Sequence, residues 1–151
     1  MTDANESRYV YVIVIRTTPE TLWTALTSEE FTRQYWFGMH QECDWTAGSS
    51  WRLVFADGRI GDTGEILESD PPRRLVIKWR NEFRPELKDE GYSRCTMDLE
   101  PFEGTVKLTI THVIDRPESK LIEAVSGGWP GILSNLKTLL ETGEPMFKTV
   151  I

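Results

Sequence analysis

The chain has 151 residues, 39% of them hydrophobic, which is enough for one domain with a buried core that needs no disulfide or metal. A formal net charge of −7 leaves no basic surface for phosphate backbones or anionic lipid, so we expect neither nucleic acid nor a membrane as partner. Cys43 and Cys95 are far apart and no signal pattern begins the chain, which predicts a reduced, cytoplasmic protein. We expect one domain over residues 1–151, with an ordered core from about 8 to 143 and a frayed start over residues 1–7.

The first part of the chain predicts one strand and two short helices. Residues 8–16 are rich in valine, isoleucine and tyrosine, and their near-continuous apolarity predicts a strand packed on both faces inside the sheet. Thr18 followed by Pro19 is typical of a capped helix start. Ser28, followed by two glutamates, predicts the start of a second short helix.

Residues 39–115 alternate apolar and polar side chains, with turn signals such as Asp57-Gly58 and Glu103-Gly104. This pattern predicts an antiparallel meander without helices, in which six strands follow the first one. The predicted strands cover residues 40–45, 50–56, 62–69, 74–80, 93–101 and 105–114. The charged segment 81–91 is too long for a tight hairpin, and we interpret it as a connector rather than a lid.

A long amphipathic helix is predicted over residues 129–142, where apolar residues recur every three or four positions. Pro130 fits the first turn of such a helix and Gly143 fits its C-terminal cap. A shorter helical run covers residues 118–126, and Gly127-Gly128 predicts a break or kink between the two. A sheet that is apolar on one face needs one cover, so we predict an α+β fold in which this helix lies across the concave face of a sheet of about seven strands.

An ordered set of short motifs resembles a known family. The set comprises Pro-Glu-x-x-Trp-x-Ala-Leu, a Trp before the second strand, an Asp-Gly hairpin, Pro-Pro-Arg-Arg-Leu leading into a strand that ends in Trp, Gly-Thr opening the last strand, and Gly-Trp before a leucine-rich helix. The matching positions are Pro19, Trp23, Leu26, Trp36, Gly58, Pro72, Leu75, Trp79, Gly104, Thr105, Gly128 and Trp129. Over about residues 8–143 the chain resembles the bacterial branch of the family named for the activator of the heat-shock-protein-90 ATPase, in the START-like (SRPBCC) superfamily.

The resemblance implies a helix-grip fold with a cavity between the helix and the sheet, which related proteins use for lipids, hormones, polyketides or other apolar ligands. Inward-facing apolar residues could equally form a filled core, and the pattern does not separate the two. The residues that we predict to line such a cavity are Trp36, Trp51, Phe55, Ile77, Trp79, Met97, Ile110, His112, Trp129, Leu133 and Leu136. The eukaryotic co-chaperone that gives this family its name has a separate N-terminal domain, and this chain has no room for it. We therefore do not assign co-chaperone activity to this chain.

Catalysis has little support in the sequence. His112 faces inward on the last strand and is interpreted first as a core or cavity residue, whereas His40 is expected to be exposed. An enzyme would need His112, or a carboxylate such as Glu65, in a pocket with a shifted pKa. No metal-ligand spacing or phosphate-binding loop is present, so neither a metal nor a cofactor is predicted.

Three functions remain open. The favoured hypothesis is non-catalytic binding of a small apolar or amphipathic molecule in the helix-grip cavity. The second is a stress-related interaction protein, resembling the ATPase activator, that uses its surface or forms a homodimer. The third is an enzyme of the cyclase, aromatase or hydrolase type found among superfamily relatives.

Overall fold

One antiparallel sheet of seven strands frames the molecule, and helices pack around it. The computed structural model describes residues 5–150. The strands are β1 (Ser7–Ile15), β2 (His40–Cys43), β3 (Ser50–Val54), β4 (Ile60–Asp70), β5 (Arg74–Asn81), β6 (Ser93–Phe102) and β7 (Thr105–Ile114). The helices are α1 (Pro19–Thr27), α2 (Glu29–Tyr35), α3 (Pro85–Lys88) and α4 (Lys120–Thr142). The predicted α+β fold, with two short helices after the first strand and a long C-terminal helix on the sheet, is confirmed.

The two short helices begin where their capping residues predict. The Thr18 side chain accepts a hydrogen bond from the Thr21 N–H at 3.1 Å, and Pro19 occupies the first turn of α1. The Ser28 side chain accepts from the Phe31 N–H at 3.3 Å at the start of α2. Each side chain thus satisfies one backbone donor that the helix itself leaves unpaired.

The strands lie in the order β1-β7-β6-β5-β4-β3-β2, so β1 is an edge strand that pairs only with β7. The prediction that β1 is packed on both faces is wrong. Val10, Val12 and Val14 are about half exposed, because the helix layer covers only the face that carries Tyr9, Tyr11, Ile13 and Ile15. The expectation of a frayed start also fails at Ser7, which begins β1; residues 1–4 lie outside the described residues.

The segment between β5 and β6 contains α3, a single helical turn that the expected all-strand meander did not include. Leu87 in this turn is buried in a small cluster with Ile114, Leu121 and Ile122. Glu90, which follows it, accepts hydrogen bonds from the Lys120 and Leu121 N–H groups at 2.8 and 3.3 Å. The segment therefore anchors the start of α4 and is not a free connector.

Helix α4 runs from Lys120 to Thr142 without interruption, so the predicted break at Gly127-Gly128 is wrong, as is the placement of Pro130 in a first turn. Proline has no N–H, so the helix lacks one hydrogen bond at this point. Trp129 and Ile132 flank the site and are buried against the sheet, and this packing holds the helix together through it. Gly143 ends the helix in a left-handed conformation, as predicted.

The chain then folds back along α4 and is held by a buried amide. Asn135 is fully buried, and its Nδ2 donates to the Phe147 carbonyl oxygen at 2.9 Å while its Oδ1 accepts from the Phe147 N–H at 2.6 Å. The same Nδ2 lies 3.3 Å from the Tyr35 carbonyl oxygen. One side chain thus ties residues 144–150 and the end of α2 to the helix.

Gly64 lies between two tryptophans at a point where neighbouring strands approach closely. Strand pairing places Trp51 on one side of it and Trp79 on the other, with their ring centroids 4.5 Å apart. A Cβ atom at this position would lie 1.6 Å from the carbonyl oxygen of Lys78. Only glycine fits such a close approach of two strands.

We expect Gly64→Ala to destabilise the fold by about 3 kcal/mol or more, because the backbone must separate to admit the methyl group. Gly127→Ala is the matched control: a Cβ there meets no atom within 4 Å, so replacing this exposed helical glycine is expected to stabilise by about 0.5–1 kcal/mol. Denaturant unfolding of the two variants measures both effects. Equal stability of Gly64→Ala and the wild type would contradict the close packing.

Candidate functional site

A cavity of about 430 Å³ lies between the first half of α4 and one end of the sheet. Its size falls within the range of small-molecule sites. The lining residues come from the end of α2, from β3 to β5, from the segment around α3, from α4 and from the C-terminal tail. They are Trp36, Phe37, Met39, Leu53, Phe55, Asp62, Trp79, Asn81, Phe83, Arg84, Leu87, Leu121, Ala124, Val125, Gly127, Gly128, Trp129, Gly131, Ile132 and Val150.

Three indole rings form the inner end of the cavity. The ring centroids of Trp36 and Trp129 are 5.5 Å apart, those of Trp79 and Trp129 are 5.8 Å apart, and those of Trp36 and Trp79 are 6.0 Å apart. These distances are typical of aromatic contacts, and all three side chains are buried. A molecule in the cavity therefore meets large, fixed apolar surfaces.

The outer part of the cavity is also aromatic. Phe83 packs edge-on against Phe55 with ring centroids 5.0 Å apart, and the Arg59 guanidinium stacks on the Phe55 ring at 4.5 Å. Phe83 is 46% exposed and Val150 is 73% exposed, so the cavity reaches solvent beside them. Gly127 and Gly128 contribute no side chains to the α4 side of the wall.

Few lining residues are polar, and Asp62 is the most deeply buried ionisable one, with 6% of its surface exposed. Its neighbours in the sheet are Leu53 on β3 and Asn81 on β5. Burial raises the pKa of Asp62 to about 7; the hydrogen bond with Trp79 opposes this rise, and the nearby Glu82 charge adds to it. The cavity thus contains one carboxyl group that changes charge near neutral pH.

The structure brings four of the predicted cavity residues together in this lining: Trp36, Phe55, Trp79 and Trp129. The remaining seven are buried but do not line this cavity. They are Trp51, Ile77, Met97, Ile110, His112, Leu133 and Leu136, and they pack against one another and against the rest of the hydrophobic core. The inward face of the sheet is therefore partly filled core and partly cavity wall.

His112 forms the centre of a buried polar chain in which every group has a partner. Trp129 Nε1–H donates to His112 Nδ1 at 3.3 Å, which places the ring proton on Nε2. His112 Nε2 lies 2.8 Å from Ser93 Oγ, and Ser93 Oγ donates to the Trp79 carbonyl oxygen at 3.0 Å. Burial lowers the pKa of His112 to about 3. This histidine is held neutral and joins α4 to three strands.

The other ionisable groups considered from the sequence lie elsewhere. His40 is buried, with Nε2 3.0 Å from Glu42 Oε2, so the prediction that it is exposed is wrong; α2 packs against this strand. Glu65 pairs with Lys78 across the strands and has the opposite parity to the inward-facing Asp62, which places it on the convex face.

Asp62 and Asn81 are the two polar lining residues of the sheet, and the sequence interpretation missed both. Both could have been found by extending the alternation along their strands. Asn81 continues the inward series that includes Ile77 and Trp79, and Asp62 has the same parity as buried Ile66. The contributions of Phe83, Arg84 and Leu87 depend on how the α3 segment folds back, for which the sequence carries no comparable signal.

Within residues 5–150, no cluster of three or more His, Cys, Asp or Glu side chains could hold a metal ion. None of the helices in the same range is long and apolar enough to cross a membrane.

Comparison with known proteins identifies the family. The profile of the family described as Activator of Hsp90 ATPase homolog 1-like protein matches residues 16–141, which is well over half of the chain. The chain belongs to this family. A search of curated proteins finds no significant match.

Solved structures share the fold of this chain. A protein from Mesorhizobium loti has a TM-score of 0.77 and 23% identity, over 89% of this chain and 97% of its own. An Hsp90 activator from Plasmodium falciparum has a TM-score of 0.72 and 25% identity, over 89% and 96%. An Aha1 dimer from Colwellia psychrerythraea has a TM-score of 0.72 and 19% identity, over 91% and 98%. At these identities the first and third show a common fold alone.

The neutral state of His112 predicts a pH dependence of stability. The unfolded chain binds a proton at His112 below its ordinary pKa of 6.5, whereas the folded chain does so only near pH 3. The free energy of unfolding should therefore fall as the pH is lowered from 6.5 towards 3, by up to about 1.4 kcal/mol per pH unit from this group. His112→Gln can keep both hydrogen bonds but cannot titrate, so it should show a shallower decline in urea unfolding series. Identical pH slopes for the two proteins would contradict a buried neutral histidine.

Proposed function

We propose that this protein binds one small apolar or amphipathic molecule in the cavity between α4 and the sheet. The observation that carries the proposal is the cavity itself, of about 430 Å³, with three indoles at its inner end. Concave, mainly apolar sites with a few fixed polar groups are the usual form of ligand pockets. A filled hydrophobic core would leave no such space, because protein interiors pack to the density of organic crystals.

Binding is favoured over catalysis because the cavity lacks an activated nucleophile. Asp62 meets the criterion of a carboxylate with a shifted pKa, but the groups around it are indoles, hydrocarbon, the Asn81 amide and, outside the cavity, the Glu82 carboxylate. The Arg84 guanidinium is already paired with Glu86, to which it donates at 2.8 Å. Cys95 is fully buried in the core, and burial raises its thiol pKa further. An isolated carboxylate can hold a ligand, but it does not by itself form a catalytic site.

A second candidate is self-association as an interaction protein. Val10, Val12 and Val14 form a stripe on the edge strand β1, each about half exposed. The Colwellia relative is described as a dimer and the Plasmodium relative as an Hsp90 activator. We propose that the valine stripe contacts the same stripe on a second copy of this chain. An apolar surface on an edge strand can pack against its own copy across a two-fold axis.

The ligand proposal predicts that a neutral apolar fluorophore, N-phenyl-1-naphthylamine, binds and is displaced by fatty acids, flavonoids or small aromatic compounds. Ala124→Trp should weaken this binding by about tenfold or more, because the indole enters the cavity. Glu123→Trp is the matched control, since it adds the same side chain at an exposed position of the same helix. Fluorescence titration of the three proteins gives the affinities. Failure of every compound to bind, or equal binding to Ala124→Trp, would count against the cavity as a ligand site.

The self-association proposal predicts that the wild type sediments as a dimer in the micromolar range and that Val12→Lys is monomeric, because a buried unpaired ammonium is costly. Ala47→Lys, in the exposed turn between β2 and β3, adds the same charge as a control and should remain dimeric. Sedimentation velocity measures both. A monomeric wild type would exclude this interface.

A further inference from the structure

The Asp62 carboxyl group lies at the wall of a mainly apolar cavity and forms no ion pair with any residue in the range 5–150. It is 6% exposed, and its hydrogen-bond partners, Trp79 and Asn81, are neutral side chains. A buried carboxylate normally pairs with a cation or takes up a proton. The structure supplies no cation to it from the sheet, so a bound molecule can supply one.

The charged groups on the surrounding elements support this view. Glu82, next to Asn81 on the α3 segment, is itself anionic and pairs with Arg80 and Lys88 outside the cavity. Arg84 lines the cavity but pairs with Glu86, and its side chain is half exposed. The lining residues of α4, of β3 and of the α2 end are all uncharged. Among the described lining residues Arg84 is thus the one cation, and it is already paired with Glu86.

The rings around the carboxyl suit a cation as well. Trp79 favours the ionised form of Asp62 and contacts Trp36 and Trp129, whereas the Phe55 ring in the outer wall already carries the Arg59 guanidinium at 4.5 Å. The faces of aromatic rings attract ammonium groups, most strongly where water is excluded. A carboxylate among aromatic rings combines the two interactions that proteins use to hold an organic ammonium ion.

We propose that Asp62 makes the cavity selective for amphiphiles that carry a protonated amine, with the ammonium at the Asp62 carboxylate and the hydrocarbon part against the indoles of Trp36 and Trp129. This inference rests on the proposed ligand-binding function and names the class of ligand.

The proposal also fixes the sign of the pH dependence of ligand affinity. An ammonium ligand binds the ionised carboxyl, so its affinity rises as the pH passes upward through about 7. An uncharged ligand removes water from the carboxyl group and therefore favours its protonated form. The affinity of such a ligand falls as the pH rises through the same range.

The test compares n-octylamine, 1-octanol and octanoate, which share a chain and differ in charge, by calorimetric titration at pH 6 and pH 8. Octylamine remains protonated at both values, because alkyl ammonium groups titrate near the pKa of lysine. We expect octylamine to bind at least about tenfold more tightly than octanol at pH 8, and more tightly at pH 8 than at pH 6. Asp62→Asn keeps the shape of the side chain, and should lose the preference for the amine while octanol binds as well or better.

The outcomes separate this inference from the proposed function. Binding of octanol or octanoate equal to or tighter than that of octylamine, or an amine affinity that Asp62→Asn leaves unchanged, would overturn the role of Asp62 and leave the cavity as an apolar ligand site. Failure of all three probes to bind the wild type would overturn both. The comparison of the three probes on the wild type needs no variant, so it stands even where Asp62→Asn alters folding.

Discussion

The structure depends on one packing interaction, that of the apolar face of α4 on the concave face of the sheet. The second half of the helix places Leu133, Leu136 and Leu139 in the core, each 5% exposed or less. Burial of a leucine contributes roughly 1.5–3 kcal/mol relative to exposure, so this half alone supplies several kcal/mol. The first half of the helix is fixed at its start by Glu90 and at Trp129 by the buried hydrogen bond to His112.

Side-chain size varies along α4, and this variation explains why the interface is filled at one end and open at the other. Leucines fill the space under the second half, whereas the stretch between Ile122 and Trp129 presents Ala124, Val125 and the pair Gly127-Gly128. Small side chains cannot reach the sheet, and the space opposite them becomes the cavity. The helix is held at both ends of this stretch, so the wall persists despite its glycines and Pro130.

Most of the fold follows from the sequence, because its signals are local. Strand alternation, turn glycines and the capping residues Thr18 and Ser28 each depend on neighbours in the chain, and the predicted elements match the observed ones closely. The errors lie where tertiary packing decides. The valines of β1 indicate burial, but sheet order places the strand at an edge, and tertiary contacts carry α4 through Gly127-Gly128 and Pro130.

The cavity was less predictable than the fold. Its aromatic residues were anticipated at Trp36, Phe55, Trp79 and Trp129, because inward parity and helix phase are visible in the sequence. The division of the sheet's inward face into filled core and cavity wall was not anticipated, because it depends on how closely α4 approaches each strand. Asp62 was missed because an acidic residue in an alternating strand is normally interpreted as solvent-facing.

The central claim, that a small molecule enters between α4 and the sheet, is tested most directly by the indole N–H resonances of the six tryptophans during titration with an apolar compound. We expect large shifts for Trp36, Trp79 and Trp129, whose rings form the inner end of the cavity, and little change at Trp23 and Trp45, which do not line it. Shifts confined to Trp23 and Trp45, or the absence of any shift on binding, would contradict it.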